Sequence, residues 1–166
     1  PSLILPSVQA QLGFNTGGEV ARFTLLFSQQ LAAQAGRQTE AWDAYVLQPT
    51  EVNTLWRTAY YAGVLADLEE IIKAQNVSPV YAGVAKALKA YTYSGATDLW
   101  GDGPFTEAIQ GTTNSQPKPD RSQDVYPRLL TLLDEAIADL RKTSPLTAPT
   151  STDDYIYAGN ATRWVK

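Results

Sequence analysis

The stretch that decides the fold reads Ala85-Lys86-Ala87-Leu88-Lys89-Ala90-Tyr91-Thr92-Tyr93-Ser94-Gly95-Ala96-Thr97-Asp98-Leu99-Trp100-Gly101-Asp102-Gly103-Pro104-Phe105-Thr106-Glu107-Ala108. Its first half is alanine-rich and carries apolar residues at helical spacing. Its second half is a compound stop: Gly101 suits the residue after a helix, and Pro104 blocks continuation. Upstream, Ser78 is a good N-cap and Pro79 a good first helical residue. The pattern predicts a helix over residues 79–100 with Val80, Val84, Ala87, Leu88, Tyr91, Gly95 and Leu99 on its inner face. Ala87, Ala90 and Gly95 are small, which lets a partner helix come close.

Working outward, three more long helices are expected. The first covers residues 19–35, with Val20, Phe23, Leu26, Phe27 and Leu31 at helical spacing and Gly36 as its stop. Gly13, Gly17 and Gly18 interrupt the segment before it. The second covers residues 51–75, capped by Thr50, with Leu55, Ala59, Ala62, Ala66 and Leu68 on one stripe and Trp56, Tyr60, Val64 and Ile71 broadening it. The tight link 76–79 makes it an antiparallel hairpin with the helix at 79–100. The last begins near Ser122 or Asp124 and runs to about residue 142, with Tyr126, Leu129, Leu130, Leu133, Ile137 and Leu140 in register; Pro127 favours the later start, since proline is harmless only in the first turn. Residues 37–49, 101–121 and 143–153 read as loops. Asn160 or Thr162 caps a final helix that begins at Arg163-Trp164-Val165-Lys166. That helix is too short to close a domain, so the sequence is expected to be the N-terminal portion of a longer protein. The fold class is all-α, built of tetratricopeptide-like (TPR-like) helical hairpins packed as an α/α superhelix, although the strict repeat consensus is not visible.

Composition narrows the chemistry. The chain has 166 residues, 44% of them hydrophobic, enough for one domain with its own core. Net charge is −4 and there is no Lys/Arg stripe, so nucleic acid is not an expected partner. Cysteine and histidine are both absent, which excludes thiolate or imidazole metal sites and the Ser-His-Asp triad. No cofactor, metal or catalytic residue is expected. No apolar run has the length of a membrane helix. Nine tyrosines and four tryptophans remain, and each pairs a flat apolar face with a polar handle. Such residues serve core packing and also sugar stacking.

Four blocks carry a resemblance. Leu55-Trp56-Arg57-Thr58-Ala59-Tyr60-Tyr61 followed by Leu68-Glu69-Glu70-Ile71-Ile72 is similar to the second helix of SusD-like (RagB) proteins. Ala87-Leu88-Lys89-Ala90-Tyr91 and Asp98-Leu99-Trp100-Gly101-Asp102-Gly103-Pro104-Phe105-Thr106-Glu107-Ala108 resemble that family's third helix and its stop. Val125-Tyr126 with Leu132-Leu133-Asp134-Glu135-Ala136-Ile137-Ala138-Asp139-Leu140 resembles the next helix, and Tyr155-Ile156-Tyr157-Ala158-Gly159-Asn160 with Arg163-Trp164-Val165-Lys166 the segment after it. Order and spacing agree from about Val52 onward. The resemblance implies a non-catalytic surface lipoprotein of the bacterial outer membrane. Such a protein binds oligosaccharide or another nutrient and lies as a lid on a SusC-like TonB-dependent transporter. The family's lipid-bearing cysteine is not in this sequence, so the resemblance puts the anchor outside the chain.

The candidate ligand contacts lie in the 37–49 loop: Trp42 and Tyr45, with Gln38, Glu40 and Asp43 beside them. Aromatic faces stack on the apolar face of a sugar, and carboxylates and amides bond its hydroxyls; loops on a rigid scaffold commonly carry binding. The resemblance implies glycan contacts in this general region. The same loop also reads as a hydrophobic plug over the helix ends. Asp98, Asp102 and Glu107 are not taken as a glycosidase carboxylate pair: Gly101 ends the helix, Asp102 reads as a local turn residue and Pro104 blocks continuation. Trp56, Tyr60, Tyr91 and Tyr93 sit at core spacing, and the hydroxyls of Tyr60, Tyr61, Tyr91 and Tyr93 have backbone groups within reach. Trp164 reads as core. A TPR-like adaptor binding a peptide in its concave face is the competing function, recognisable by a groove lined with Lys, Arg and Asn.

Overall fold

The computed structural model describes residues 1–37 and 39–166, with all their side chains except those of Thr58 and Ala59. Among the described residues there are helices and loops but no strand; one isolated bridge pairs Gly103 with Asp120. The helices are α1 (Ile4–Asn15), α2 (Ala21–Phe27), α3 (Thr39–Asp43), α4 (Ala66–Lys73), α5 (Pro79–Trp100), α6 (Ser122–Leu140) and α7 (Ala161–Trp164). Two wider π-helical segments, Thr16–Val20 and Leu55–Leu65, lead into α2 and α4.

The N-terminal helix starts earlier and ends sooner than its sequence pattern predicts. α1, the Thr16–Val20 segment and α2 run on as one rod, which breaks at Gln29 with φ +55°. Gly36 therefore ends no helix, and Leu31 is exposed. Each glycine costs about 1 kcal/mol in a helix interior, so the expectation of a break at Gly13, Gly17 and Gly18 was physically sound. Tertiary burial overrides it. Leu5, Val8 and Leu12 pack into a cluster with Val64, Leu68, Ile71, Val84 and Leu88, and each fully buried side chain of this kind contributes about 1.5–3 kcal/mol. The glycine pair falls in the π-helical turn, where an extra residue is accommodated.

The second rod also departs from the expected stripe. Over Leu55–Leu65 the buried positions among the described residues are Leu55, Tyr60, Val64 and Leu65, while Ala62 of the expected stripe is exposed. The i→i+5 winding is wider than an α-helix and takes the side chains off a 3.6-residue stripe. Thr50 does not cap the segment: it lies in a separate 3₁₀ turn, Pro49–Glu51, in which the Glu51 carboxylate accepts from the Gln48 backbone N–H at 2.7 Å.

α5 occupies the predicted residues. Ser78 Oγ accepts from Val80 N–H at 3.4 Å, Pro79 opens the helix, and Gly101 leaves it at φ +74°. α5 packs along α6, and the close approach comes at Gly83, not at Gly95. A Cβ on Gly83 would stand 2.7 Å from Leu140 Cγ and 3.0 Å from the Ala136 carbonyl. α6 begins at Ser122 despite Pro127, because its first N–H has a partner from far upstream: Asp102 accepts from Ser122 at 2.8 Å. Asp102 is thus a cap for α6 and not a local turn residue. Leu129 and Leu140 of the predicted stripe are buried, whereas Tyr126, Leu130 and Leu133 are exposed.

Two polar knots hold the loops. Asp120 accepts from the Phe105 and Thr106 backbone N–H groups at 3.0 and 2.8 Å and from Thr106 Oγ1, folding the 101–121 loop back so that Phe105 packs edge-on against Tyr93. Asp154 is 1% exposed and accepts from Gln9 Nε2 and Trp164 Nε1, both at 2.8 Å, and from the N–H groups of Ile156, Tyr157 and Gly159. It pins the C-terminal loop to α1.

Candidate functional site

The 37–49 loop is built around Trp42. Its ring is 1% exposed, packs on Phe23 with centroids 4.3 Å apart, and lies under the Arg22 guanidinium. Its Nε1 donates to Glu51 at 2.9 Å, the same carboxylate that caps the following turn. A face covered in this way offers no stacking surface; Trp42 fixes the loop to α2. Tyr45 is the opposite case. It is 61% exposed, stacks on Phe27 at 6.0 Å, and donates its hydroxyl to the Phe27 carbonyl at 3.1 Å. Its backbone is left-handed, φ +59°, which turns the ring outward from the end of α3. Glu40 is exposed and accepts from Gly36 N–H at 2.6 Å, while Asp43 is half-buried nearby in sequence. Gln38 lies outside the described residues. The loop therefore joins the two sequence readings: Trp42 is its plug and Tyr45 its open aromatic face.

The carboxylates of the 98–107 stretch are all engaged. Asp98 accepts from the Tyr126 hydroxyl, Asp102 from Ser122, and Glu107 from Asn114 Nδ2 and Lys118 N–H. Asp98 ties α5 to α6, Asp102 caps α6, and Glu107 holds the 101–121 loop, so none of the three is a local turn residue of the kind expected for Asp102. Among the described residues no group of three or more acidic, His or Cys side chains is placed to hold a metal ion.

A second region emerges only in three dimensions. Three hollows lie in a row between the N-terminal rod and α5. The widest, about 550 Å³, is bounded by Leu12, Gly13, Tyr91, Tyr157 and Trp164. The middle one, about 290 Å³, shares Leu12, Thr16 and Tyr91 with it and adds Tyr60, Ser94 and Asp98. The third, about 260 Å³, shares Val20, Asp98 and Leu99 with the middle one and reaches Phe27 and Leu47, beneath the 37–49 loop. Together they form a trough of a size suited to an extended small ligand. The trough explains why Tyr91 and Leu99, assigned by spacing to the inner face of α5, are exposed. α5 meets α6 on one side and the π-helical rod on another, and the remaining side faces the trough.

The tyrosine hydroxyls divide accordingly. Tyr61 accepts from Ile109 N–H at 3.1 Å, as its position allows. Tyr93 is buried with no hydrogen-bond partner for its hydroxyl among the described residues. Burial, with the neighbouring Tyr61 hydroxyl and acidic groups, pushes that phenol well above its ordinary range. Tyr60 is 5% exposed, and burial together with Tyr91 raises its phenol too. Sequence spacing marked Tyr60 as core, and no one-dimensional signal distinguishes it from Trp56 or Leu55. Trp164 is partly buried, edge-on to Tyr157 at 5.1 Å, with its indole N–H consumed by Asp154.

Comparison with known proteins agrees with this architecture. The chain matches a crystal structure of a SusD/RagB family protein from Bacteroides thetaiotaomicron with a TM-score of 0.84 and 24% identity, over 99% of this chain and 35% of that one. The chain thus spans about a third of the length of that relative. No curated protein sequence is similar enough to count as a match. A family model described as "SusD-like_2: Starch-binding associating with outer membrane" matches residues 1–166. The all-α chain of TPR-like hairpins belongs to the SusD-like family.

Proposed function

We propose that this chain is the N-terminal helical part of a non-catalytic receptor at the bacterial outer membrane. The receptor captures oligosaccharide and passes it to a SusC-like TonB-dependent transporter, with a lipid anchor supplied outside these residues. Membership in a family described as starch-binding carries the reading. The geometry supports it: Tyr45 on the 37–49 loop is exposed and stacks on Phe27, which lines the nearest of the three hollows. Capture of this kind needs stacking and hydrogen bonds and no bond cleavage. Within the loop, Tyr45 supplies the stacking face, Gln38, Glu40 and Asp43 supply polar contacts, and Trp42 supports them from beneath.

The peptide-adaptor reading predicts a groove lined by Lys, Arg and Asn. The trough is lined instead by tyrosines, leucines and hydroxyl side chains, with Asp98 its charged residue. That composition favours a neutral, polyhydroxylated ligand over a peptide carboxylate or phosphate.

The test is a glycan array with the intact receptor, followed by calorimetry on each hit and an assay for release of smaller sugars. Binding without turnover is expected. Cleavage of a bound glycan would end the non-catalytic reading, and an array with no hits would end the glycan reading. Co-purification with a TonB-dependent barrel checks the transporter step; an isolated receptor under gentle extraction counts against it.

A further inference from the structure

The middle hollow contains a feature that core packing does not explain. Tyr60 is buried in the Leu55–Leu65 segment, with its ring edge-on to Trp100 at 5.4 Å. Its hydroxyl has no hydrogen-bond partner among the described residues. It lies 3.8 Å from the place where a Cβ on Gly95 would stand, so the missing side chain at Gly95 leaves the phenol open to the hollow. The ring is buried, yet the hydroxyl is not sealed in: it reaches the hollow, where it can both donate and accept. Tyr93 has an unpartnered hydroxyl as well, but the hollow it borders is only about 10 Å³. That is room for one water molecule at most. The hollow at Tyr60 is about 290 Å³.

Other polar and aromatic side chains line it. Tyr91, one turn before Gly95 on α5, is 56% exposed and presents a ring at the wall. Asp98 lies one turn beyond Gly95; its carboxylate accepts from Tyr126 and has lone pairs for further donors. Ser94 and Thr16 add hydroxyls at the rim. Among the described residues no cationic side chain lines the hollow.

We propose that this cleft between the Thr16–Val20 segment and α5 is a second sugar subsite, in which Tyr60 hydrogen-bonds a ring hydroxyl, Tyr91 packs on the C–H face and Asp98 accepts from another hydroxyl. The ligand class is a neutral or amino sugar residue within an oligosaccharide. Acidic sugars are excluded, because Asp98 would face a second carboxylate with no cation between them. Tyr60 remains a protonated donor at all physiological pH values, since burial holds its phenol above the ordinary range. The hollow shares Val20, Asp98 and Leu99 with the one beneath the 37–49 loop. A glycan chain laid along the two would run from Tyr60 toward that loop. The choice of sugar rests on the glycan-receptor reading above; the existence of the site rests on Tyr60 and Gly95.

The experiment is calorimetric titration of the intact receptor with maltoheptaose, cellohexaose, xylohexaose and trigalacturonate, repeated on Tyr60→Phe and Gly95→Leu. A neutral oligosaccharide is expected to bind. Tyr60→Phe should weaken it roughly fivefold, the loss of one hydrogen bond, while leaving Tm unchanged or higher. Gly95→Leu fills the cleft, favours the helix and should weaken binding more than tenfold. Wild-type affinity in both variants, with Tyr45→Ala still impaired, overturns the cleft and leaves the glycan reading standing. A Tm drop in Tyr60→Phe without an affinity change makes the hydroxyl structural and overturns the cleft as well. Preference for trigalacturonate overturns the proposed ligand class. Failure of all four probes to bind overturns both readings together.

Discussion

Two clusters in this molecule are made of the same ingredients, a carboxylate among aromatic rings beside α1, yet they are opposites. Around Asp154 every partner is spent: Gln9, Trp164 and three backbone N–H groups converge on one buried carboxylate. Around Asp98 the partners are largely unspent: Tyr60 has a hydroxyl without a mate, Tyr91 is bare, and Gly95 keeps the space between them open. The first cluster is a clasp and the second has the chemistry of a receptor. Residue types do not separate them. The hydrogen-bond accounting does, because a satisfied buried group holds structure while an unsatisfied one at a cavity wall is available for a ligand.

Substitutions that open the closed side sharpen this contrast most. Trp42→Ala, which empties the loop's anchor on Phe23, should cost about 3–5 kcal/mol, read as a lower denaturation midpoint. Retention of wild-type stability would return Trp42 to the list of direct ligand contacts. Asp154→Ala strands two side-chain donors and three N–H groups and should cost about 3 kcal/mol. If chemical denaturation shows less than a third of that, the clasp contributes little and the contrast fails on its stronger side.

The same carboxylate gives a pH signature. Burial opposes its ionisation, but the hydrogen bonds from Trp164, Gln9, Gly159 and Tyr157 outweigh it and hold its pKa below the ordinary value. Asp139 follows the same logic: burial opposes its charge, and Lys142 and Lys86 prevail. A carboxyl depressed in the folded state contributes stability above its unfolded pKa, about 3.9. That contribution is lost as pH falls through the folded value. The denaturation midpoint should therefore stay flat from neutral pH to about 5 and fall below about 4. In Asp154→Asn the acid limb should be shallower, and an unchanged limb would assign acid sensitivity elsewhere.

Smaller effects probe the packing that frames the trough. Gly83→Ala drives a methyl into Leu140 and the Ala136 carbonyl, and should cost about 1–3 kcal/mol by overpacking. The same change at Gly95 meets only the Tyr60 hydroxyl at ordinary contact distance and should be neutral or stabilising. Equal destabilisation at the two glycines would mean that the trough face of α5 is packed rather than open. Smallest in stability is Tyr45→Ala, within about 0.5 kcal/mol for an exposed residue. Its measurable consequence is weaker oligosaccharide binding, and unchanged affinity would remove Tyr45 from the site.

Much of the helical framework was legible in one dimension. Ser78-Pro79 and Gly101 bracket α5 because capping and chain reversal are local: a hydroxyl within two residues, a ring without an N–H, a backbone able to take positive φ. The all-α class, the antiparallel link at residues 76–79 and the resemblance to the SusD-like family follow from such signals. The tertiary structure decided the rest. It carried the N-terminal rod through three glycines because buried leucines outweigh glycine's entropic cost, and it wound Leu55–Leu65 as a wider π-helical segment that a 3.6-residue template does not detect. It also buried Trp42, exposed Tyr91 and left the Tyr60 hydroxyl facing a cavity. Those outcomes depend on which surfaces meet across residues far apart in the chain, and local propensity carries no record of that.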